Sequence, residues 1–304
     1  KFIYHRRPVL VLNNLEFDHA DIFRDLVDVQ RTFSHVIRLV PKNGYILYNG
    51  DDPALRSLLP VPWAQCVRVG TGADNDLRLC GFCEGPNGSQ FQLRWRGAMW
   101  GKVSWPLGGE FNARNAAMAS WAAGLAIKPE DPLCALNPEL LCDFAGVQRR
   151  QQVHLDTPGR VLVEDFAHHP TALVQALVTL RVRWPGYRLV AAFEARSNTT
   201  RRKIFQAELG AALAQADEVW LAPPEGFERI PEADRLDLAQ LAGDLRGNDR
   251  QTLLTDDYAA FVEAVATRFR AFDGNPTVVV FFSNGSFGGT LGKLIASGKG
   301  NAVS

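Results

Sequence analysis

The sequence lacks a surplus of either charge. Its 33 lysines and arginines are matched by 33 aspartates and glutamates, so the formal net charge at pH 7 is zero. Proteins that bind nucleic acid or anionic membranes through general electrostatic attraction carry a basic excess. We therefore expect neither nucleic acid nor a membrane among the partners of this chain.

Long apolar runs are also missing. No stretch approaches the roughly 20 apolar residues of a membrane-spanning helix, and no segment has the pattern of a signal peptide. Cysteines are few, with five at irregular spacing. The lone C-x-x-C, Cys80 to Cys83, has no second pair to complete the four ligands that zinc requires. We expect reduced thiols and a cytoplasmic location.

A phosphate loop of the form G-x-x-x-x-G-K-[ST] is absent. The segment 97–103 comes nearest, but its spacing is short, it has no Ser or Thr after the lysine, and it lies among strand-like runs. The sequence also starts at Lys1 and not at Met. The Lys start leads us to expect a fragment or a processed product.

The first half of the chain has the pattern of an α/β domain that includes a hairpin region. Apolar runs predict strands, and 3.6-residue periodicity predicts helices. Strands are expected at 8–12, 36–40 and 45–48, antiparallel hairpins at 66–105, and helices at 22–35, from 53, at 113–125 and at about 129–143.

The pattern restarts at residues 146–150. Beyond them, apolar strands alternate with amphipathic helices, which is typical of a doubly wound, mostly parallel sheet. Strands are predicted at 161–163, 188–193, 218–222 and 277–282, and helices at 171–183, 200–216, 236–245, 257–269 and from about 289. We place the boundary near residues 148–152, which gives domains 1–149 and 150–304.

Polar residues follow several predicted strands, at the sheet edge where open α/β sheets bind ligands. Asp165, His168 and His169 come after the strand at 161–163, and Pro170 suits the first turn of the next helix. The alternative is a surface loop that carries a few titratable groups. The glycine-rich segment 285–289 follows the last predicted strand and either cradles an anion or forms a plain tight turn.

Three further clusters each allow two interpretations. His19 between Asp18 and Asp21 suits a divalent cation bound to phosphate, or these aspartates cap a helix. Asn112 and Asn115 share a helical face and suit an adenine edge, or Asn112 is a simple cap. The pair Arg149-Arg150 clamps phosphate or is a solvated linker pair.

Taken together and in this order, these clusters resemble the motifs of the Mur ligase family, ATP-dependent amide-bond ligases of peptidoglycan metabolism. Residues 14–21 are similar to its N-x-E-x-D-H-x-D stretch, and residues 111–115 to its H-N-x-x-N motif, with Phe111 in place of the histidine. Arg149-Arg150 matches the R-R that opens the third domain, and residues 165–170 resemble D-Y-G-H-H-P.

The resemblance implies ATP and Mg²⁺ as cofactors. His19 would bind the magnesium ion, and Asn112 and Asn115 the adenine. Arg150 would contact the ATP phosphates and stabilise their charge. Asp165 would hold the ribose, with His168 beside the nucleotide. The catalytic residues would then be His19 and Arg150.

Within the family, this chain is most similar to ligases that join UDP-N-acetylmuramate to the murein tripeptide L-alanyl-γ-D-glutamyl-meso-diaminopimelate. The resemblance implies an acyl-phosphate intermediate, and it implies that Arg196, Ser197, Asn198 and Thr199 bind the carboxylates of the peptide. Ala195 departs from the usual Glu-Pro-Arg at this place. Addition of L-alanine to UDP-N-acetylmuramate is the alternative.

The chain is then expected to comprise the latter part of a central ATPase domain and a complete C-terminal domain, without the UDP-sugar domain. Lacking the phosphate loop, it is expected not to transfer phosphate by itself. Two readings from other classes stay open. One is a metal-dependent phosphohydrolase built on His19, Asp21, Asp165 and His168, and the other is a non-catalytic ligand-binding fragment.

Overall fold

The computed structural model describes residues 8–271 and 274–300, so Lys1 lies outside the described residues. The chain divides into two compact units, Lys1–Ala145 and Gly146–Ser304, each with its own sheet and core. Of the helices in the described ranges, none has the length and apolar character needed to cross a membrane.

The first unit contains one six-stranded sheet. Its strands, in chain order and in sheet order alike, are β1 (Val9–Leu12), β2 (Tyr45–Asn49), β3 (Gln65–Gly70), β4 (Leu77–Gly85), β5 (Gly88–Trp95) and β6 (Ala98–Trp105). Neighbours from β1 to β4 pair in parallel, and β4, β5 and β6 pair antiparallel. The predicted hairpins are therefore confirmed for β4–β6, whereas β3 belongs to the parallel part.

Helices cover both faces of this sheet. They are α1 (Leu26–Arg38), α2 (Pro53–Arg56), α3 (Glu110–Ile127) and α4 (Pro132–Ala135). The buried alanines of α3 pack closely on one face, and Trp121 of α3 stacks on Trp95 at a ring-centroid distance of 4.0 Å. Val29 and Ile37 of α1 pack in the core of the other face. The predicted helix start after Asp52 is confirmed, because its carboxylate caps α2.

Two predictions in this unit are wrong. Residues 36–40 are not a strand, because Ile37 continues the apolar stripe of Val29 and Phe33 at four-residue spacing and α1 runs to Arg38. The single helix at 129–143 is instead α4 followed by a 3₁₀ helix, Pro138–Asp143. A proline stands at the start of each piece, where its missing N–H does no harm, and prevents one continuous helix.

The second unit is doubly wound, as predicted. Its strands are β7 (Gln152–Thr157), β8 (Arg160–Asp165), β9 (Arg188–Phe193), β10 (Glu218–Leu221), β11 (Gln251–Leu254) and β12 (Thr277–Phe282), in the sheet order β11-β10-β9-β12-β8-β7. All pairs are parallel except β7 with β8. Strands β7 and β11 were not predicted.

In the described part of this unit, the helices between strands are α5 (Pro170–Arg183), α6 (Gln206–Leu213), α7 (Leu238–Gly247) and α8 (Tyr258–Arg270), and α9 (Thr290–Gly300) follows β12. Alternate side chains of each strand face opposite cores: Leu189 and Ala191 of β9 pack with α5, α6 and α7, and Val190 and Ala192 pack with α8 and α9. Because β12 inserts between β8 and β9, the carboxyl ends of these three strands lie side by side.

Candidate active site

Asp165 ends β8 as a buried carboxylate. Its Oδ1 accepts the N–H of Ala167 at 2.7 Å and its Oδ2 accepts the N–H of Gln151 at 3.1 Å. Burial raises the pKa of Asp165, although the two backbone N–H groups partly offset this. The side chain therefore fastens the start of the unit to the end of β8.

The two neighbouring arginines have different surroundings. Arg149 donates to Glu164 at 2.7 Å and to the carbonyl oxygens of Ser283 and Gly285 at 3.0 and 2.6 Å. Arg150 is exposed, and its guanidinium lies 5.3 Å from the centre of the Phe166 ring. Arg149 thus joins the ends of β8 and β12 and does not belong to a solvated linker. Arg150, in contrast, presents its charge to solvent.

The two histidines after β8 belong to the turn that starts α5. His168 Nδ1 lies 3.1 Å from the carbonyl oxygen of Phe166, and the half-buried ring meets that phenyl group edge-on. His169 is the N-cap of α5, where its side chain accepts the N–H of Thr171 at 3.4 Å. The helix start that Pro170 indicates is confirmed.

Glu194, directly after β9, is a buried residue that matches the Glu of the Glu-Pro-Arg stretch, but the sequence assigned it no role. It is 2% exposed. Its carboxylate accepts the hydroxyl of Tyr258 at 2.5 Å, the hydroxyl of Ser283, and the N–H of Phe287 at 3.3 Å. Burial, and then the adjacent Glu194, raise the pKa of the Tyr258 phenol. One carboxylate therefore connects the end of β9, the loop after β12 and the first turn of α8.

Arg196 lies beside this carboxylate. Its Nη1 is 3.6 Å from Glu194 Oε1 and is also hydrogen-bonded to Glu225, in the loop after β10. Burial lowers the pKa of Arg196, but the charges of Glu194 and Glu225 outweigh burial and raise it. About a third of the side chain, 32%, stays exposed. A permanent cation is thus present at the carboxyl edge of the sheet.

Gly285 makes room for Arg196. A Cβ at this position would lie 2.1 Å from Arg196 Cδ and 2.7 Å from Glu194 Oε2, so any side chain here would displace Arg196 or Glu194. The N–H of Gly285 donates to Ser283 Oγ at 2.7 Å. The segment 285–289 therefore packs against protein groups as a turn, and Phe287, Gly288 and Gly289 are its left-handed residues, at φ 51°, 57° and 80°.

The other three predicted substrate residues differ in access. Ser197 and Thr200 pair through their side-chain oxygens at 2.8 Å, and the N–H of Thr200 donates to Ser197 Oγ at 3.0 Å. Thr199 is 2% exposed, while Asn198 is exposed. Arg196 and Asn198 therefore present the most accessible polar groups of the four.

An open groove of about 740 Å³ lies near the ends of β10 and β11. Its walls combine apolar side chains with charges of both signs, and they include Lys203, Pro224, Phe227, Arg235, Leu236 and Asp256. The space exceeds the lower end of the range for ligand pockets, about 300–1,000 Å³. Pro224 precedes Glu225, so the groove borders on the partner of Arg196.

In the first unit, His19 stands in an exposed loop after β1. The residue is left-handed at φ 54°, its N–H donates to Asp18 Oδ1 at 2.7 Å, and its Nε2 lies 3.9 Å from Asp18 Oδ2. The ring is 68% exposed. Helix α1 is capped by Asp25, so the alternative in which Asp18 or Asp21 caps it is wrong.

His19 and Asp18 fit magnesium as a partial ligand set. Magnesium is usually held by one or two protein groups, with phosphates and water completing the shell. Within residues 8–271 and 274–300, no group of three or more His, Cys, Asp or Glu is arranged to hold a metal. That does not favour a phosphohydrolase, whose two metals need several such ligands. Cys80 and Cys83 flank a bulge in β4, and all five cysteines are free.

The two predicted adenine contacts lie in the first turns of α3. Asn112 donates from Nδ2 to the carbonyl oxygen of Gly108 at 2.8 Å. The N-cap of α3 is Gly109, and no side chain caps this helix. The alternative in which Asn112 is the cap is therefore wrong. Asn115 is exposed, and its Oδ1 accepts a hydrogen bond from Asn13, which ties α3 to the loop after β1.

Comparison with protein families assigns both units. Residues 6–123 match the model described as Mur ligase middle domain, and residues 149–285 match the model described as Mur ligase, glutamate ligase domain. The two matches include the loop after β1, the start of α3, and the ends of β8, β9 and β12.

Curated relatives carry two names. The chain is 35% identical over 227 residues to a UDP-N-acetylmuramate–L-alanyl-γ-D-glutamyl-meso-2,6-diaminoheptandioate ligase of Escherichia coli, covering 74% of this chain and 48% of the relative. The Haemophilus influenzae protein of that name is 31% identical, covering 97% and 61%. A UDP-N-acetylmuramate–L-alanine ligase of Lactiplantibacillus plantarum is 29% identical, covering 85% and 57%. The chain thus spans about half to three-fifths of these relatives.

Solved structures agree on the fold. A murein peptide ligase from Psychrobacter arcticus superposes with a TM-score of 0.66 at 24% identity, covering 97% of this chain and 58% of that one. A MurF ligase from Thermotoga maritima in complex with ADP superposes with a TM-score of 0.72 at 19% identity, covering 97% of this chain and 63% of that one.

The Tyr258–Glu194 hydrogen bond predicts a pH dependence of stability. A raised phenol pKa means that the contribution of Tyr258 is fully present below the unfolded value near 10 and is lost as the pH rises above it. The unfolding free energy of wild type minus that of Tyr258→Phe should be constant from pH 8 to 9.5. It should then fall by about 1.4 kcal/mol per pH unit. Urea unfolding at each pH measures this difference in unfolding free energy. A difference that stays constant up to pH 11 would contradict the prediction.

Proposed function

Because the chain belongs to the Mur ligase family and carries its middle and glutamate ligase domains, we propose that it is the nucleotide- and amine-binding part of an ATP-dependent amide-bond ligase. The bond joins UDP-N-acetylmuramate to the tripeptide L-alanyl-γ-D-glutamyl-meso-diaminopimelate. One observation carries this choice: Arg196, a partly exposed cation, stands at the carboxyl edge of the second sheet and already binds carboxylates.

The tripeptide is favoured over L-alanine for two reasons. The tripeptide has several carboxylates where L-alanine has one, and a guanidinium binds a carboxylate through two parallel hydrogen bonds. The groove of about 740 Å³ is large for a single alanine. The relatives at 31–35% identity bear the tripeptide ligase name, and the L-alanine ligase relative stands at 29%. Addition of L-alanine remains the alternative.

The chemistry requires an activated acyl group. A carboxylate is a poor acyl donor, and ATP with Mg²⁺ supplies the phosphoryl group that makes it a good one. The residues of the chain then position reactants and stabilise charge. The exposed guanidinium of Arg150, supported by the Phe166 ring, is placed to neutralise phosphate oxygens.

The remaining nucleotide contacts follow the motifs of the family. Asn112 and Asn115 would bind the adenine from the first turns of α3. Asp165 would accept a ribose hydroxyl through the lone pairs that its two backbone N–H partners leave, with His168 beside it. His19, with Asp18, would hold Mg²⁺.

A direct assay tests the substrate. The protein, as its source cell produces it, is incubated with ATP, Mg²⁺ and UDP-N-acetylmuramate, and with either the tripeptide or L-alanine. We expect amide formation and phosphate release with the tripeptide and little with L-alanine. Efficient turnover of L-alanine would replace this proposal by the alternative.

Removal of the Arg196 guanidinium should weaken peptide binding. A hydrogen bond to a charged group contributes about 1.5–3 kcal/mol, so Arg196→Ala should raise the KM for tripeptide roughly ten- to a hundredfold. The KM for ATP should change much less. Arg229→Ala is the control, since the Arg229 side chain is 82% exposed and lies in the loop after β10. Equal changes in both KM values would assign Arg196 to the nucleotide instead.

His19 should affect turnover and not folding. Its ring is 68% exposed, so His19→Ala should leave the thermal unfolding temperature nearly unchanged. If the ring holds Mg²⁺, kcat should fall by about a hundredfold or more, as for other groups that stabilise transition-state charge. His35→Ala, an exposed histidine of α1, serves as the control. Unchanged kcat with a lowered unfolding temperature would make His19 a structural residue.

A further inference from the structure

Two carboxylates share the guanidinium of Arg196, and they differ in burial. Glu194 is 2% exposed and lies 3.6 Å from Nη1. Glu225 is 51% exposed on its side chain and is hydrogen-bonded to the same nitrogen. Arg196 therefore already has an inner and an outer carboxylate before any ligand arrives.

The inner carboxylate is fixed in place. Glu194 accepts hydrogen bonds from Tyr258, Ser283 and Phe287 as well as facing Arg196. Leaving this position would strand buried donors and carry the carboxylate away from all its partners, which is costly. Glu225 differs because half of its side chain is in contact with water. An exposed ion pair contributes little to stability, because water competes for both of its groups.

The charge balance decides what happens when a ligand carboxylate approaches. Arg196 carries one positive charge against the two negative charges of Glu194 and Glu225, so this cluster is negative by one before binding. A third carboxylate beside the same guanidinium would meet like-charge repulsion. A ligand carboxylate that takes the place of a resident one avoids this repulsion, and only the exposed Glu225 leaves at low cost.

We propose that Glu225 is an internal competitor for Arg196, and that a ligand carboxylate binds by displacing it. The inference rests on the proposed function in so far as the ligand is the tripeptide. The inference makes Glu225 a specificity-determining residue. A ligand binds the guanidinium of Arg196 only if it offers a carboxylate that replaces the carboxylate of Glu225. Glu194 is the positioning residue that holds the guanidinium in the same place throughout.

The matched variants are Glu225→Gln and Glu228→Gln. Glu228 lies in the same loop, is 72% exposed, and pairs with Arg229 at 3.6 Å, so its change removes the same charge without touching Arg196. Both side chains are exposed, and both variants should fold as wild type does. The probe is phenylglyoxal, which modifies accessible guanidinium groups, and Arg196 is followed by mass spectrometry of its peptide.

Glu225→Gln should speed modification of Arg196 about two- to fivefold, the factor that corresponds to an exposed ion pair of up to about 1 kcal/mol. The concentration of meso-diaminopimelate that half-protects Arg196 should fall by a similar factor. Glu228→Gln should match wild type in both measurements. Unchanged modification in Glu225→Gln overturns the inference, and so does faster modification with an unshifted protection curve.

Neither measurement uses ATP or ligation. If wild type fails to ligate the tripeptide but Glu225→Gln shifts the protection curve, the proposed function falls and the competition stands. If wild type ligates the tripeptide and the curve does not shift, the function stands and the competition falls.

Discussion

The hydrogen bonds of the buried Glu194 carboxylate hold the carboxyl edge of the second sheet together. A carboxylate at 2% exposure is tolerated only when its oxygens have partners, and here Tyr258, Ser283 and Phe287 supply them. Those partners come from the first turn of α8 and from the loop after β12. The position of Arg196 depends on the same carboxylate and on the missing Cβ of Gly285. Without that arrangement, the exposed guanidinium would have no fixed place.

The strand order makes this arrangement possible. Strand β12 is last in the chain but inserts between β8 and β9, where the direction of winding reverses and helices change face. Side chains far apart in sequence then lie side by side at one edge. The guanidinium of Arg149 reaches carbonyl oxygens more than 130 positions later, and Glu194 pairs with residues 89 and 93 positions later. Such contacts follow from topology and not from local sequence.

This explains what the sequence could and could not predict. Strands β9 and β12 were predicted with the observed bounds because both are apolar, buried on two faces and flanked by turn residues. Strands β7 and β11 were missed because both are edge strands, and an edge strand tolerates the partly polar pattern that each of them has. Glu194 was recognised as part of the Glu-Pro-Arg stretch, but its role was missed because a glutamate after a strand usually faces water. Its position between the apolar residues Phe193 and Ala195, both buried in the structure, was a further signal.

The sequence also cannot predict which of two like-charged residues at one site has fixed partners in the fold. Arg149 and Arg150 are adjacent and chemically identical. Arg149 is hydrogen-bonded to Glu164 and to two backbone carbonyl groups, whereas Arg150 is exposed over Phe166. Glu194 and Glu225 divide in the same way around Arg196. In each pair the member with several fixed partners sets geometry, and the more exposed member has fewer partners to give up. The set of fixed partners, which depends on the whole fold, therefore distinguishes Arg149 from Arg150 and Glu194 from Glu225 where residue type cannot.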